Sequence, residues 1–414
     1  MNKASSVDTW TYSATNAAPQ ICEFGHDNWV LALAAALILS ASSDLTPVNP
    51  GLVDPRRLHA TVLKLSSMHD RNTNNLGLEE AAGWVLQEFR KINGLQSDVF
   101  RYHIEKGPRV PIAKDVAEVV AILPGETDRR VIIGGHLDSI NMAETDWQGR
   151  APGANDDASG VSLTLELARL MSTKRWKQTL VFVAFSGEEQ GLLGSSALAK
   201  RAREEHWKID AVLNNDIVGG SSDLHGHHDN RVRVFSEESP EHNSRELARY
   251  TAYLADPSGS RRDGGGVELV LRPDRFGRGG DHTPFNQQGF TAIRFVDSVE
   301  EYARQHTPKD EIEAMDFGHL ANVARLNLRL AESLALADLT PTQVRVSRKQ
   351  SKDSTITWQA SPDTRYVLYS RLTTSPVWTS AQEVPPTGKV TVPVDKDDHV
   401  FAIGALGGIP VEAK

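Results

Sequence analysis

The segment LVFVAFSGEEQG, residues 180 to 191, combines the two features that decide the fold of this chain. Its first six residues, Leu180 to Phe185, are all apolar, which is typical of a strand buried on both faces of a sheet. Two adjacent carboxylates, Glu188 and Glu189, follow this run, although like charges repel and each resists desolvation. Two interpretations are open. One is a solvated acidic loop at a helix start, where carboxylates suit the helix dipole. The other is a metal site in which one carboxylate binds a cation and its neighbour transfers protons.

Apolar runs and helical periodicity alternate along the chain on both sides of this segment. The strand-like runs cover residues 116–125, 129–139, 179–187, 209–219, 231–237, 267–273 and 291–298. Apolar residues at helical spacing occur within 54–67, 77–92, 159–172, 244–255 and 317–337. Near-continuous hydrophobic strands that alternate with helices predict an α/β fold with a mixed, mostly parallel central sheet flanked by helices.

The pattern changes after the segment ADLTPTQ, residues 337–343. Short alternating strands separated by Pro, Gly, Asp and Ser turns fill residues 344–412, without a helical period. This pattern predicts a small all-β sandwich that resembles a fibronectin type III-like module, with Trp358 and the segment 366–369 in its core. We therefore expect three parts. They are an N-terminal segment (1–50), an α/β domain (51–339) and the β-sandwich (340–414).

Composition restricts the chemistry. The 414 residues carry a formal net charge of −9 without a long Lys/Arg cluster, so we expect no nucleic-acid partner. The single cysteine, Cys22, excludes a disulfide framework and any Cys-ligated zinc or iron–sulfur site. Any metal must therefore be held by His, Asp and Glu.

The longest apolar stretch, residues 28–42, is too short for a confident membrane span and suits the central region of a signal peptide. Small residues follow at 40–43, as a cleavage site requires, but Lys3 is the only basic residue upstream. We expect export, to the periplasm or the medium, and no stable membrane span in the mature chain. A short buried helix is the alternative.

Five loops at predicted strand ends carry His, Asp or Glu side chains. In open α/β sheets, ligands bind at the carboxyl ends of the strands. They are His136 and Asp138, Asp156 and Asp157, Glu188 and Glu189, Asp216, and His306. Each has an ordinary alternative, such as a helix cap, a turn or a surface loop. Together they form a set of His and carboxylate donors suited to zinc. Two cations would need a bridging carboxylate, and the water between them would be acidic enough to act as a nucleophile near neutral pH.

The ordered motifs H-x-D, G-A-N-D-D-A-S-G, G-E-E, N-D and H-T-x-x-D resemble those of the dizinc aminopeptidase family that includes glutamate carboxypeptidase II. The resemblance covers residues 55–338 and implies two Zn²⁺ per chain, in the zinc exopeptidase fold. It implies that one zinc is bound by His136 and Asp216, the other by Glu189 and His306, and that Asp156 bridges them. It also implies that Glu188 is the general base, acting on a metal-bound hydroxide, and that Asp138 orients His136.

Three further segments bear on this prediction. Gln305 precedes His306 where family members commonly have Tyr, which leaves an oxyanion contact by that residue in doubt. The segment 274–285 resembles the loop that lines the substrate pocket, so Asp281 is a candidate substrate-binding residue, with a helix cap as the equal alternative. The histidine-rich segment 224–230 lies where a loop is expected, and we do not expect a metal site there.

The sequence predicts a zinc-dependent exopeptidase. More specifically, it predicts an aminopeptidase that acts on peptides with a free N-terminus. The alternatives are a carboxypeptidase or a glutaminyl-cyclase-like relative on the same fold, and a binding protein that has lost activity. Cyclase relatives work with one zinc, and an inactive relative should have lost ligands. The complete set of five donors therefore argues against both of these alternatives.

Overall fold

The computed structural model describes residues 47–144, 147–237, 239–256, 266–274 and 279–414. The apolar run at 28–42 and Cys22 lie outside the described residues, so the predicted export signal stays a prediction.

A central sheet of eight strands forms the first part of the fold, in the order β1-β2-β4-β3-β5-β8-β6-β7. The strands are β1 (Gln96–Ile104), β2 (Lys114–Leu123), β3 (Arg129–His136), β4 (Thr179–Phe185), β5 (Lys208–Asn215), β6 (Val232–Phe235), β7 (Val267–Val270) and β8 (Ala292–Asp297). The four central strands, β4-β3-β5-β8, are parallel to one another. The outer pairs β1–β2, β2–β4 and β6–β8 are antiparallel, and β6–β7 is parallel. This mixed, mostly parallel sheet confirms the prediction.

Seven α-helices accompany the strands in the described part of the chain. They are α1 (Pro55–Ser66), α2 (Leu76–Arg90), α3 (Ala158–Met171), α4 (Leu193–Glu204), α5 (Ser244–Ala255), α6 (His282–Gln287) and α7 (Phe317–Leu336). Helix α3 packs on β3, β4 and β5 and also contacts α1 and α7, while α4 and α6 contact each other. Helices on the sheet explain why β4 is buried along its whole length and needs no polar face.

The C-terminal part contains two antiparallel sheets. One has the order β13-β10-β9 and the other β12-β11-β14-β15. Their strands are β9 (Thr342–Val346), β10 (Ser354–Gln359), β11 (Tyr366–Leu372), β12 (Ser380–Val384), β13 (Lys389–Val392), β14 (His399–Ala405) and β15 (Val411–Glu412). Side chains from both sheets, among them Ile356, Trp358, Tyr366 and Ile403, share one apolar core. Helix α7 ends at Leu336 and β9 begins at Thr342. The boundary at 340 and the fibronectin-like resemblance stay predictions.

Within the described ranges, no helix combines the length and the apolar character needed to cross a membrane.

Candidate metal centre

The parallel strands bring the predicted donors to one edge of the sheet. His136 is the last residue of β3, Glu188 and Glu189 follow the end of β4, and Asp216 directly follows β5. Because β3, β4 and β5 run in the same direction, their carboxyl ends meet at this edge. Asp156 arrives on the loop that leads into α3.

Asp156 lies between the two histidines. Its Oδ1 is 3.0 Å from Nε2 of His136, and its Oδ2 is 3.2 Å from Nε2 of His306. His306 Nε2 is also 3.2 Å from Oε2 of Glu189, and His136 Nε2 is 3.7 Å from Oδ1 of Asp216. The structure therefore brings all five predicted donors together, in the two groups that the resemblance implies.

The chemistry of these donors fits a cation. Burial and the neighbouring charge of Asp156 raise the pKa of Glu189 well above its usual range. Burial alone would lower the pKa of His136, but its interactions with the carboxylates of Asp156 and Asp216 outweigh burial and raise that pKa. Oε1 of Glu189 is buried and accepts no hydrogen bond from any part of the chain that the structure describes. Imidazole nitrogens and carboxylate oxygens are zinc ligands, and zinc would offset the charge collected here.

The family can now be identified. The sequence profile of the family described as Peptidase family M28 matches residues 118–331. A probable zinc metalloprotease of Leptosphaeria maculans is 32% identical over 400 residues, covering 86% of this chain and 92% of that protein. One of Pyricularia oryzae is 34% identical over 405 residues, covering 86% and 81%. The chain belongs to peptidase family M28. It is thus a hydrolase of peptide bonds, and zinc is the metal named for these relatives, as the sequence predicted.

Solved structures share the fold of this M28 peptidase. The LapA aminopeptidase of Legionella pneumophila aligns with a TM-score of 0.55 at 21% identity, over 71% of this chain and 77% of that one. The zinc aminopeptidase BSAP of Bacillus subtilis gives 0.52 at 16% identity, over 68% and 95%. A glutaminyl cyclase of Fimbriiglobus ruber gives 0.53 at 19% identity, over 70% and 98%. At these identities the likeness shows the fold, which aminopeptidases and a cyclase share.

Asp138 contacts His136 most closely through its main chain. The Nδ1 of His136 is 3.0 Å from the backbone carbonyl of Asp138, whereas the Asp138 carboxylate lies 3.7 Å away. That carboxylate instead accepts hydrogen bonds from the backbone N–H groups of Glu188 (3.2 Å) and Glu189 (3.1 Å). The main chain of Asp138 therefore makes the shorter contact with His136, while its side chain lies between His136 and the backbone of the glutamate pair.

The Asp157 carboxylate accepts hydrogen bonds from helix α3, from the end of β3 and from the loop after β5. It caps α3 by accepting a hydrogen bond from Gly160 N at 2.8 Å, as the helix-cap alternative predicted. The same carboxylate accepts from His136 N at 3.0 Å and from Ile217 N at 3.3 Å. It thus fixes the end of β3 and the loop after β5 relative to α3. The Asp156–Asp157 peptide bond is cis.

Asp310, the last residue of H-T-x-x-D, fixes the backbone that carries Asp156. Its carboxylate accepts hydrogen bonds from the backbone N–H groups of Asn155 (3.0 Å) and Asp156 (2.9 Å). Burial raises the pKa of Asp310 to about 7. The sequence motif included Asp310, but its role depends on a contact with Asp156, which lies 154 residues away in the chain. The spacing of residues within the motif cannot indicate such a contact.

Asp281 is fully buried beside the centre and does not cap α6, so the cap alternative is wrong. Neither of its carboxylate oxygens accepts a well-formed hydrogen bond from the described residues, although the Ser195 hydroxyl is close enough to influence it. Burial raises the pKa of Asp281 to about 7. The side chain thus remains a candidate for binding substrate.

Two buried arginines were missed by sequence analysis. The Arg71 guanidinium donates to the carbonyls of Leu65, Leu137, Pro152 and Gly153, and so connects the loops that carry the metal-binding residues. Burial lowers the pKa of Arg71, against the opposing charge of nearby aspartates. Arg294, on β8, contacts Asp216. An arginine inside the apolar run TAIRFVDS is a signal that could have found Arg294, whereas Arg71 lies in a polar loop without such a signal.

The remaining predicted positions lie around the site. Gln305 Nε2 donates to Glu300 Oε2 at 3.3 Å. In the histidine-rich segment 224–230, His227 Nδ1 pairs with Asp223 at 2.6 Å on the exposed surface. Among the residues that the structure describes, the one group that meets a metal-ligand geometry is His136, Asp156 and Glu189.

Proposed function

We propose that this M28 peptidase is a zinc-dependent aminopeptidase that holds two zinc ions and hydrolyses the N-terminal peptide bond of peptides. The observation that carries the proposal is that the two oxygens of Asp156 face different histidines, at 3.0 and 3.2 Å. A carboxylate in this position is suited to bridge two cations, and its second contact would be redundant in a one-metal site.

The donors divide into two sites around Asp156. His136 and Asp216 would hold one zinc, and Glu189 and His306 the other. Zinc, when bound, polarises a carbonyl and makes water more acidic, which is what amide hydrolysis requires. Asp138 positions the glutamate pair through its hydrogen bonds to both backbone N–H groups.

Glu188 is the residue suited to move protons. The largely enclosed position of Glu188 and the neighbouring charge of Asp216 raise its pKa well above its usual range, which is the direction that suits a proton acceptor. In the proposed reaction, Glu188 accepts a proton from the attacking water and delivers it to the leaving amine. The water oxygen first forms the new C–O bond, and the C–N bond then breaks as the amine takes up the proton, so the products are an amino acid and a shortened peptide.

Recognition of a free N-terminus is supported by Asp281. The side chain is fully buried in this structure, so the proposal requires that it becomes accessible when a substrate binds. Its carboxylate, which lacks a well-formed hydrogen bond within the described structure, can then accept one from the α-ammonium group of the substrate. Selection for a free C-terminus would instead require a cation aimed at the substrate carboxylate. The buried Arg71 and Arg294 already contact protein groups, and the exposed Arg109 donates to the Glu189 carbonyl at 2.6 Å.

The proposal is tested with aminoacyl-arylamides and their N-acetylated counterparts, assayed with and without chelator and added zinc. We expect turnover of the free-amine substrates only, loss with chelator, recovery with zinc, and two zinc ions per chain by elemental analysis. Turnover of N-blocked peptides alone would indicate a carboxypeptidase. One zinc per chain with cyclisation of N-terminal glutamine would indicate the cyclase alternative.

We also propose that the protein is exported. The apolar run at 28–42 and the small residues at 40–43 support this. N-terminal sequencing of protein from the native host should find cleavage shortly after residue 42. An intact N-terminus on protein inside the cell would contradict export.

A further inference from the structure

Arg294 lies between a predicted zinc ligand and the segment that resembles the substrate-pocket loop. Its side chain is 2% exposed, and its Nε is 3.1 Å from Oδ2 of Asp216. One terminal nitrogen, Nη1, is 3.2 Å from Oδ2 of Asp274 and donates to the Gly279 carbonyl at 2.6 Å. One guanidinium thus contacts three residues from two segments that are distant in sequence, Asp216 in one and Asp274 and Gly279 in the other.

The two oxygens of Asp216 have different partners as a result. Oδ1 faces His136 Nε2 at 3.7 Å, on the side of the metal centre, and Oδ2 faces Arg294. A carboxylate can bind a cation through one oxygen or through both. The charge of Arg294 on Oδ2 favours binding through Oδ1 alone, because the second oxygen is already in an ion pair.

We propose that Arg294 is a positioning residue that restricts Asp216 to one coordinating oxygen and links this zinc ligand to Asp274 and Gly279. The inference rests on the proposed function, in which Asp216 and His136 hold one of two zinc ions. Residues that orient a metal ligand commonly change metal affinity by about 10–100-fold when they are replaced. Arg294 should therefore affect one zinc site and leave the other nearly unchanged.

The substitution Arg294→Met removes the guanidinium and keeps much of the side-chain volume. We expect it to weaken one of the two zinc sites by about 10–100-fold, because Asp216 loses the partner that fixes its orientation. Tighter zinc binding, through both oxygens of Asp216 and without a nearby positive charge, would overturn the inference. Arg294→Lys should recover only part of this affinity, because a single ammonium group cannot reproduce the planar fork that reaches both Asp216 and Gly279. Asp274→Asn leaves the Arg294–Asp216 contact in place, so both zinc affinities should stay close to those of the unsubstituted protein.

Arg129→Met is the matched control. Arg129 forms a part-buried ion pair with Asp210 at 2.7 Å, near the opposite ends of β3 and β5. Loss of this pair should lower stability without changing either zinc dissociation constant. A general structural effect of Arg294→Met would resemble this control, or would weaken both zinc sites equally.

The measurement is competition between zinc-free protein and a chromophoric chelator of known zinc affinity, with a thermal unfolding curve for each variant. Selective weakening of one site in Arg294→Met supports the inference. Equal weakening of both sites, or none, would overturn it. The unsubstituted protein tests the proposed function separately, because a single bound zinc there contradicts the two-zinc proposal whatever the variants show.

Discussion

Glu188 and Glu189 are neighbours in the chain, but their side chains have different surroundings. Glu189 is 3% exposed and its Oε2 lies 3.2 Å from His306, whereas Glu188 is partly exposed. Asp138 holds the backbone N–H groups of both residues with one carboxylate. This shared anchor allows adjacent side chains to serve separate purposes at one edge of the sheet.

The two glutamates should therefore respond differently to substitution. Glu188→Gln keeps the shape but removes the proton acceptor, so we expect unchanged zinc content and a loss of turnover of about 10²–10⁴-fold. Glu189→Gln replaces an anionic ligand with a neutral one, so one zinc should bind more weakly and excess zinc should restore part of the activity. Zinc content and turnover are measured for both variants across a zinc titration.

The contrary outcomes are distinct. If both residues were only solvated acids at a helix start, each change would cost a few tenths of a kcal/mol through the helix dipole and leave turnover nearly intact. Rescue of the Glu188 variant alone by zinc would mean that the two roles are reversed.

Asp281 should make the zinc-free protein sensitive to pH. Its pKa rises from 3.8 to about 7 in the folded state because the side chain is buried. The folded chain therefore binds a proton more readily than the unfolded chain, and stability should fall as the pH rises from about 4 to about 7. Asp281→Asn should flatten this dependence in chelator-treated protein, measured by denaturant unfolding at several pH values. The exposed Asp353→Asn variant is the control, and equal pH dependence in both variants would contradict the prediction.

At the level of elements, Glu166 connects three parts of the chain. Its carboxylate on α3 accepts hydrogen bonds from Arg57 on α1, from Arg169 one turn further along α3, and from the backbone N–H of Asp54. Burial alone would raise the pKa of Glu166, but these donors outweigh burial and lower it. The network fixes the start of α1 on α3, the helix that follows the metal-binding loop.

Glu166→Gln should destabilise the protein by about 1.5–3 kcal/mol at pH 7, the usual range for hydrogen bonds to a charged group. Because the folded pKa of Glu166 is lowered, its contribution is present above the unfolded value of 4.5 and is lost as the pH falls through the folded value. The difference between the two proteins should therefore shrink below about pH 4. Glu204→Gln, on the exposed end of α4, should cause little change at either pH. A constant difference across pH would contradict this explanation.

The elements also show what sequence could and could not predict. The wholly apolar run of β4 predicted a strand buried on both faces, and the alternation with helices predicted the parallel centre of the sheet. Motif order brought His136, Asp156 and His306 to one site. The direction of the Asp138 side chain could not be predicted. It depends on the backbone N–H groups of Glu188 and Glu189, which lie in the loop after β4. The contact between Asp310 and Asp156 could not be predicted either, because it joins two loops that are far apart in sequence.

At the scale of the whole molecule, the C-terminal sheets are packed into the main core. Side chains of Val367, Tyr369, Trp378, Ala402 and Ile409 belong to the same apolar cluster as the central sheet and its helices. Asn243 at the start of α5 donates to the Pro410 carbonyl at 2.9 Å, and Ser333 on α7 donates to the Gly407 carbonyl at 3.1 Å. Of the two roles open to these sheets, binding a partner or stabilising the peptidase, the contacts favour stabilisation.

Tyr369 is the side chain that tests this role most directly. It lies on β11 and is 3% exposed, with its ring edge-on to Tyr253 at 5.4 Å and to Tyr250 at 6.2 Å, both on α5. Tyr369→Ala should destabilise the peptidase by about 3–5 kcal/mol, as truncation of large buried aromatic side chains does, and peptidase activity should be lost at a lower temperature. Leu372→Ala removes an apolar side chain from the same strand, but Leu372 is 47% exposed, so this control should change stability by less than about 0.5 kcal/mol.

The measurement is the temperature of half-inactivation of arylamide turnover, together with denaturant unfolding. If Tyr369→Ala inactivates at the same temperature as the control, the C-terminal sheets do not stabilise the peptidase and binding of a partner becomes their better explanation.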